Sequence, residues 1–238
     1  MDDEGPDDRI TMCATRIPMI LSGWVLVIVA SYLVVEWLDG ECQEGPCAAV
    51  SRFFDLDGEA NLPAWFSSMI WLGAGALAAL LSHSDVPDRR RWRLHWIGIA
   101  VISVFLSLDE AALFHERFGS TLGGLVGAER VLFYNWIFYG LAMVALVALI
   151  YLPFLLRIDR GTALRMILAG IVFVSGSLGL EMLGAASRVG AISLIEGRMW
   201  LVEITLEETL EMLGVILFIH ALLFEFQRGG RAIRISTR

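Results

Sequence analysis

Lysine is absent from the 238 residues, and all 18 basic side chains are arginine. A Schiff-base lysine for retinal or pyridoxal phosphate, and a phosphate loop built on lysine, are therefore excluded. Charge of either sign is scarce too, at 18% of residues, against roughly 25% in a soluble domain. Four histidines are too few for His-rich membrane desaturase chemistry, and no Glu-x-x-His pair occurs of the kind a ferritin-type di-iron bundle uses. Proline is rare, and Pro18, Pro63 and Pro153 all fall near the ends of apolar runs, so the sequence predicts no proline break at mid-membrane of the sort many carriers use. The formal charge of −8 comes mostly from the N-terminus, the first loop and acids inside apolar segments. It says little about steering a basic partner, and no nucleic-acid partner is expected.

What is abundant is apolar length. Hydrophobic residues make up 57% of the chain, gathered into six stretches each near the ~20 residues that cross about 30 Å of hydrocarbon. The expected fold is all-α, a polytopic bundle of six transmembrane helices in the lipid bilayer, with spans at 17–38, 62–82, 93–117, 131–156, 164–187 and 200–226. An acidic segment, 1–16, precedes this domain and a basic tail, 227–238, follows it. The first run is too long for a cleaved signal sequence and reads as a retained span. Arginines set the orientation. Arg89, Arg90, Arg91 and Arg93 lie between spans 2 and 3, Arg157, Arg160 and Arg165 between spans 4 and 5, and Arg228, Arg231, Arg234 and Arg238 after span 6. The positive-inside rule makes these segments and both termini cytoplasmic, in a plasma membrane of the bacterial inner-membrane type.

The first exterior loop, 39–61, carries Asp55, Asp57 and Glu59 before a helix-start signal at Asn61 and Pro63. The three acids lack the ligand number and twelfth-position Glu of a calcium loop, so the loop reads as solvated and acidic. Cys42 and Cys47 share it and can pair as a disulfide or remain free thiols. Glycines on span 2 (Gly73, Gly75) and span 5 (Gly170, Gly176, Gly179, Gly184) permit close helix approach. The phrase Leu180-Glu181-Met182-Leu183-Gly184 returns as Leu210-Glu211-Met212-Leu213-Gly214, on neighbouring spans of opposite direction, which argues for chance or shared packing rather than duplication.

Chemistry is expected where acids interrupt the spans. Asp109, Glu110 and Glu116 lie on span 3 with His115, Glu181 on span 5, and Glu203, Glu207, Glu208 and Glu211 on span 6. The apolar portions 94–108, 166–180 and 212–226 hold 15 residues each, about 22 Å of helix. To cover about 30 Å, each helix must draw its acids into the hydrocarbon or a cavity beside it. Counted from the span ends, all three sets fall in the exterior half. An ionised acid at a helix centre costs about 2.5–3.5 kcal/mol, so several together rival the 5–15 kcal/mol stability of a typical protein. Protonation, a water-filled pocket or a bound cation can offset that cost.

Helical spacing puts Glu203, Glu207 and Glu211 on one stripe and makes Glu208 and Glu211 neighbours. On an unbroken span 3, Asp109 and Glu116 share a face while His115 points elsewhere. The expected metal ligands are Glu110, His115, Glu181, Glu208 and Glu211, with Asp109, Glu116, Glu203 and Glu207 as secondary candidates. An oxygen-rich set suits Mn, Fe, Ca or Mg better than catalytic zinc. The leading expectation is a metal-dependent enzyme acting on a lipid or other apolar substrate, with Glu110 or Glu208 as catalytic base. A proton- or cation-coupled transporter and an accessory subunit of a larger membrane complex, or an oligomer, are the alternatives. His83, His95 and His220 read as interfacial or packing residues, and Ser175-Gly176-Ser177 as helix packing rather than a nucleophile.

Overall fold

The computed structural model describes residues 14–38, 45–84, 86–114, 132–188 and 199–228, and no strand occurs among them. The helices are α1 (Arg16–Leu38), α2 (Pro46–Phe54), α3 (Leu62–Ser82), α4 (Pro87–Arg91), α5 (Arg93–Ala112), α6 (Leu132–Leu155), α7 (Arg160–Val174), α8 (Glu181–Arg188) and α9 (Met199–Arg228), with a π-helical segment, Ser175–Leu180, joining α7 to α8. Five stretches are long and apolar enough to cross a membrane: α1, α3, α5, Arg160–Gly184 and α9. In α6 the qualifying apolar stretch is shorter, Gly140–Leu155. Large apolar side chains stay on the outside of the bundle, among them Leu26 and Leu149 at 70% exposure. An aqueous surface would not tolerate such a coat, whereas lipid solvates it, and the chain is a membrane protein on this ground.

α3 packs most extensively on α5, and α9 on α7, the π segment and α3, while α1 leans on α9. Small residues bring the backbones together. A side-chain carbon on Gly75 would stand 3.3 Å from the Ala100 carbonyl, and one on Gly214 would stand 2.7 Å from the Phe173 backbone. Close approach of this kind replaces the hydrophobic driving force that lipid removes. Ser68 on α3 adds a hydrogen bond of 2.8 Å to the Ser107 carbonyl on α5. The core between these contacts is apolar and includes Ile28, Tyr32, Ala74, Trp96, Met212 and Leu222.

Several sequence expectations need correction. Loop 39–61 is not all loop, because Pro46–Phe54 forms α2, with proline in its first turn. Span 3 does not run unbroken to Arg117: α5 ends at Ala112, where Leu113 takes a left-handed conformation (φ 57°) and donates its N–H to Asp109 O. The helical geometry that put Asp109 and Glu116 on one face is therefore void. Span 5 is not a uniform α-helix either, since the π segment interrupts it. Asn61 caps α3 as expected, its side chain accepting from Ala64 N at 3.1 Å. Cys47 is disulfide-bonded; Cys42 lies outside the described residues.

At the arginine-rich end, a buried ion pair ties together segments far apart in sequence. Arg89 on α4 and Glu225 on α9 are 5% and 4% exposed. Arg89 Nε donates to Glu225 Oε1 at 3.0 Å, and its guanidinium also donates to the Glu225 backbone carbonyl. Thr162 Oγ1 of α7 donates to Glu225 Oε2 at 2.7 Å, and Arg228 reaches both Glu225 and Asp159 at 3.3 Å. Asp159 in turn caps α7 through Thr162 N. Each buried charge is thus compensated by a partner and hydrogen bonds, the condition for keeping it out of water.

Removing one partner of this pair leaves the other charge buried. Glu225→Ala is expected to lose about 3–5 kcal/mol of stability and Thr162→Val about 1.5–3 kcal/mol, while replacing both Arg89 and Glu225 by Met should recover most of the loss. Denaturation midpoints of the purified variants check the order.

Candidate functional site

The opposite, acidic end is built by the last turn of α5, the start of α8, the first half of α9 and the loop after α2. Asp109 and Glu110 sit on α5, Glu181 opens α8, and Glu203, Glu207, Glu208 and Glu211 lie on α9, all half-buried. His115 and Glu116 lie outside the described residues. Glu208 stands in electrostatic range of Glu110, most strongly, then of Glu207, Glu59 and Asp57. Glu211 stands in range of Glu208, Glu110, Glu207 and Glu181. Acids from α5, α8 and α9 thus lie within electrostatic range of Glu211, although they are separated by up to about a hundred residues of chain. Among the described residues, no group of three or more His, Cys, Asp or Glu side chains is placed so that it could hold a metal ion.

The π segment helps to bring Glu181 into this company. Its sequence, Ser-Gly-Ser-Leu-Gly-Leu, has weak helix preference and little side-chain bulk, so the backbone can widen from i→i+4 to i→i+5 turns. Ser175 and Ser177 hydroxyls donate to the Ile171 and Phe173 carbonyls at 2.7 and 3.1 Å, supplying bonds near the irregularity. That also fits their reading as packing residues rather than nucleophiles. One added residue turns everything beyond it by about 100°. Glu181 follows directly, so its direction relative to α7 differs from that of a regular helix. Gly176 is the contact point: a side-chain carbon there would stand 2.7 Å from the Glu207 carbonyl and 3.0 Å from Glu211 Cγ.

Sequence reasoning missed part of this surface. Asp57 and Glu59, read as a solvated loop, are exposed as expected and also lie within electrostatic range of Glu208. The loop is held by Asn61, whose Nδ2 donates to the Asp55 and Gly58 carbonyls at 2.7 Å each. Tyr32 of α1 is fully buried and lies in range of Glu36, Asp55, Asp57 and Glu208. Its hydroxyl and that of Thr209, next to Glu208, have no hydrogen-bond partner among the described residues. A tyrosine within a predominantly apolar span was the one signal available, and it reads equally as an interfacial anchor. His95 stacks on Phe154 at 5.4 Å and meets Trp92 and Tyr151 edge-on, in keeping with a packing role.

A multi-pass helical membrane protein with an acidic interhelical cluster is the class these features define. The chain belongs to the family whose model is described as a domain of unknown function, DUF8692, which matches residues 19–226. That match covers every helix of the bundle and the whole acidic cluster. No curated protein and no solved structure matches the chain.

The close contacts at the site carry a stability prediction. Gly176→Ala and Gly214→Ala force a methyl group against the neighbouring backbone and should each cost about 1–3 kcal/mol. Gly73→Ala, with open space beside it, should be neutral. Chemical denaturation of the three variants in one detergent makes the comparison.

Proposed function

We propose that this protein is a six-span, plasma-membrane enzyme whose acidic cluster binds a divalent cation in the exterior half of the bilayer and acts on a lipid or other apolar substrate. The supporting observation is that Glu110, Glu208 and Glu181, on three separate helices, all lie within electrostatic range of Glu211. Like charges in an apolar bundle are unfavourable by several kcal/mol unless something compensates them. A hard divalent ion with oxygen ligands, Mn, Fe, Ca or Mg, is the compensation that also supplies chemistry. In this reading Glu110, Glu181, Glu208 and Glu211 are the ligand set, completed by His115, and they would have to draw in around the ion, since no three described acids are placed to hold one. Asp109, Glu116, Glu203 and Glu207 are reserve oxygen donors, and Glu110 or Glu208 is the base. Six crossings with both termini cytoplasmic rest on the arginine pattern and on the 24 residues of α6, which counts as the fourth span.

A second reading, a proton- or cation-coupled carrier, gains support from the π segment. It places a backbone irregularity beside Glu207 and Glu211, and carriers commonly put their binding sites at such interruptions. Under this reading the carboxylates carry protons rather than hold a resident metal.

Elemental analysis of protein purified without chelator separates the two. The enzyme reading expects bound Mn, Fe, Ca or Mg in the wild type and its loss in a folded Glu208→Ala variant. Metal-free wild type that also fails to take up any of the four ions on titration would end that reading. Proton-driven uptake in reconstituted vesicles, abolished by Glu208→Gln, would establish the carrier instead.

A further inference from the structure

A half-open cavity of about 220 Å³ lies where α3, α5, α6, α7 and α9 meet, and its wall is almost wholly apolar. Trp71, Ile99, Met166, Phe173 and Phe218 contribute most of the bulk, and Tyr151 of α6 turns its hydroxyl away to the His95 carbonyl at 3.1 Å. Trp71 is 7% exposed, and its indole N–H has no hydrogen-bond partner among the described residues. The cavity adjoins the acidic cluster. Gly214 lines it and Glu211 follows one turn nearer the acidic end, about 4.5 Å along the same helix. Phe173 lines it as well, and Gly176, one turn on, touches Glu211.

We infer that this cavity holds one hydrocarbon chain of a lipid, with the polar end of that lipid at the acidic cluster. The volume is above the ~150 Å³ of an apolar cavity that takes a single benzene molecule and below the ~300 Å³ where drug-sized pockets begin. At the scale of benzene's six carbons in ~150 Å³, the space takes roughly nine carbons, a stretch of one slender chain. An apolar wall has nothing to offer water, and leaving it unfilled forfeits the dispersion contacts of its lining. The surrounding bilayer is an unlimited source of chains. Gly170 keeps the space open: it lines the cavity, and a side-chain carbon added to it would meet nothing within 4 Å. This inference rests on the proposal that the acidic cluster acts on a lipid, and it names the part of the site that selects the chain.

The test uses methyl palmitate bearing a mid-chain diazirine, photolysed with the full-length protein in detergent, with labelled peptides mapped. Wild type should show labelling around Trp71, Met166 and Phe173 that unlabelled methyl palmitate competes away. Gly170→Phe, which sets a ring at the cavity wall where an added side-chain carbon meets nothing within 4 Å, should abolish that competable label, whereas Gly23→Phe, in open space on α1, should leave it intact. Label that is uniform over all helices and not competable, or competable label that survives in Gly170→Phe, would overturn the inference. Endogenous lipid extracted with the protein tells a resident chain, recovered unchanged, from a substrate, recovered altered; either one occupies the cavity. Glu208→Ala keeps the two claims apart. If it loses metal and retains the label, both stand; if the wild type binds no metal yet shows the competable label, the chain site stands and the metal centre falls.

Discussion

Carboxylates inside a bundle that lipid surrounds must be compensated, and most of the architecture answers to that requirement. At the arginine-rich end the answer is complete. Glu225 meets Arg89, Thr162 and Arg228, and the resulting clasp fixes the ends of α4, α7 and α9 against one another. At the acidic end no arginine contact to Glu208 or Glu211 is found among the described residues. There, acids face acids. The contrast between the two ends is what makes the acidic cluster a candidate for function and the clasp a candidate for stability, since ionisable groups gathered inside a membrane bundle mark functional sites.

The π segment links these two demands. A regular α-helix from Arg160 to Arg188 would direct Glu181 elsewhere, and the irregularity is tolerated because the serine hydroxyls bond the helix's own carbonyls. Gly176 then lets α9 approach so closely that Glu207 and Glu211 lie against the segment itself. The apolar cavity lies one turn further along, beside the close contact of Gly214 with Phe173. Trp71 and Phe173, in edge-to-face contact at 5.2 Å, form part of its wall.

The bundle was legible in the sequence because apolar length and arginine placement are coarse signals that lipid thickness enforces. Span 2 coincides with α3 to the residue, since Asn61 and Pro63 mark its start chemically. Glu110, Glu181, Glu208 and Glu211 stood out in the sequence because short apolar segments must draw their flanking acids inward. What was hidden depends on packing rather than pattern. Nothing in Asp57 and Glu59, both exposed, announces that their loop lies within electrostatic range of Glu208. The partnership of Arg89 with Glu225 spans 136 positions and was masked by the ordinary role of arginine at a membrane surface. Leu113 ends α5 in a left-handed conformation without the glycine that normally announces one.

The central claim is that α5 and α9 bring their acids to one place. Spin labels attached at positions 110 and 208, with Cys13, Cys42 and Cys47 replaced by Ser, measure this most directly in a lipid bilayer. The account predicts strong dipolar broadening of the frozen spectrum relative to the two singly labelled proteins. A doubly labelled spectrum equal to the sum of the single ones would mean that the two helices hold their carboxylates apart, and the site would not exist.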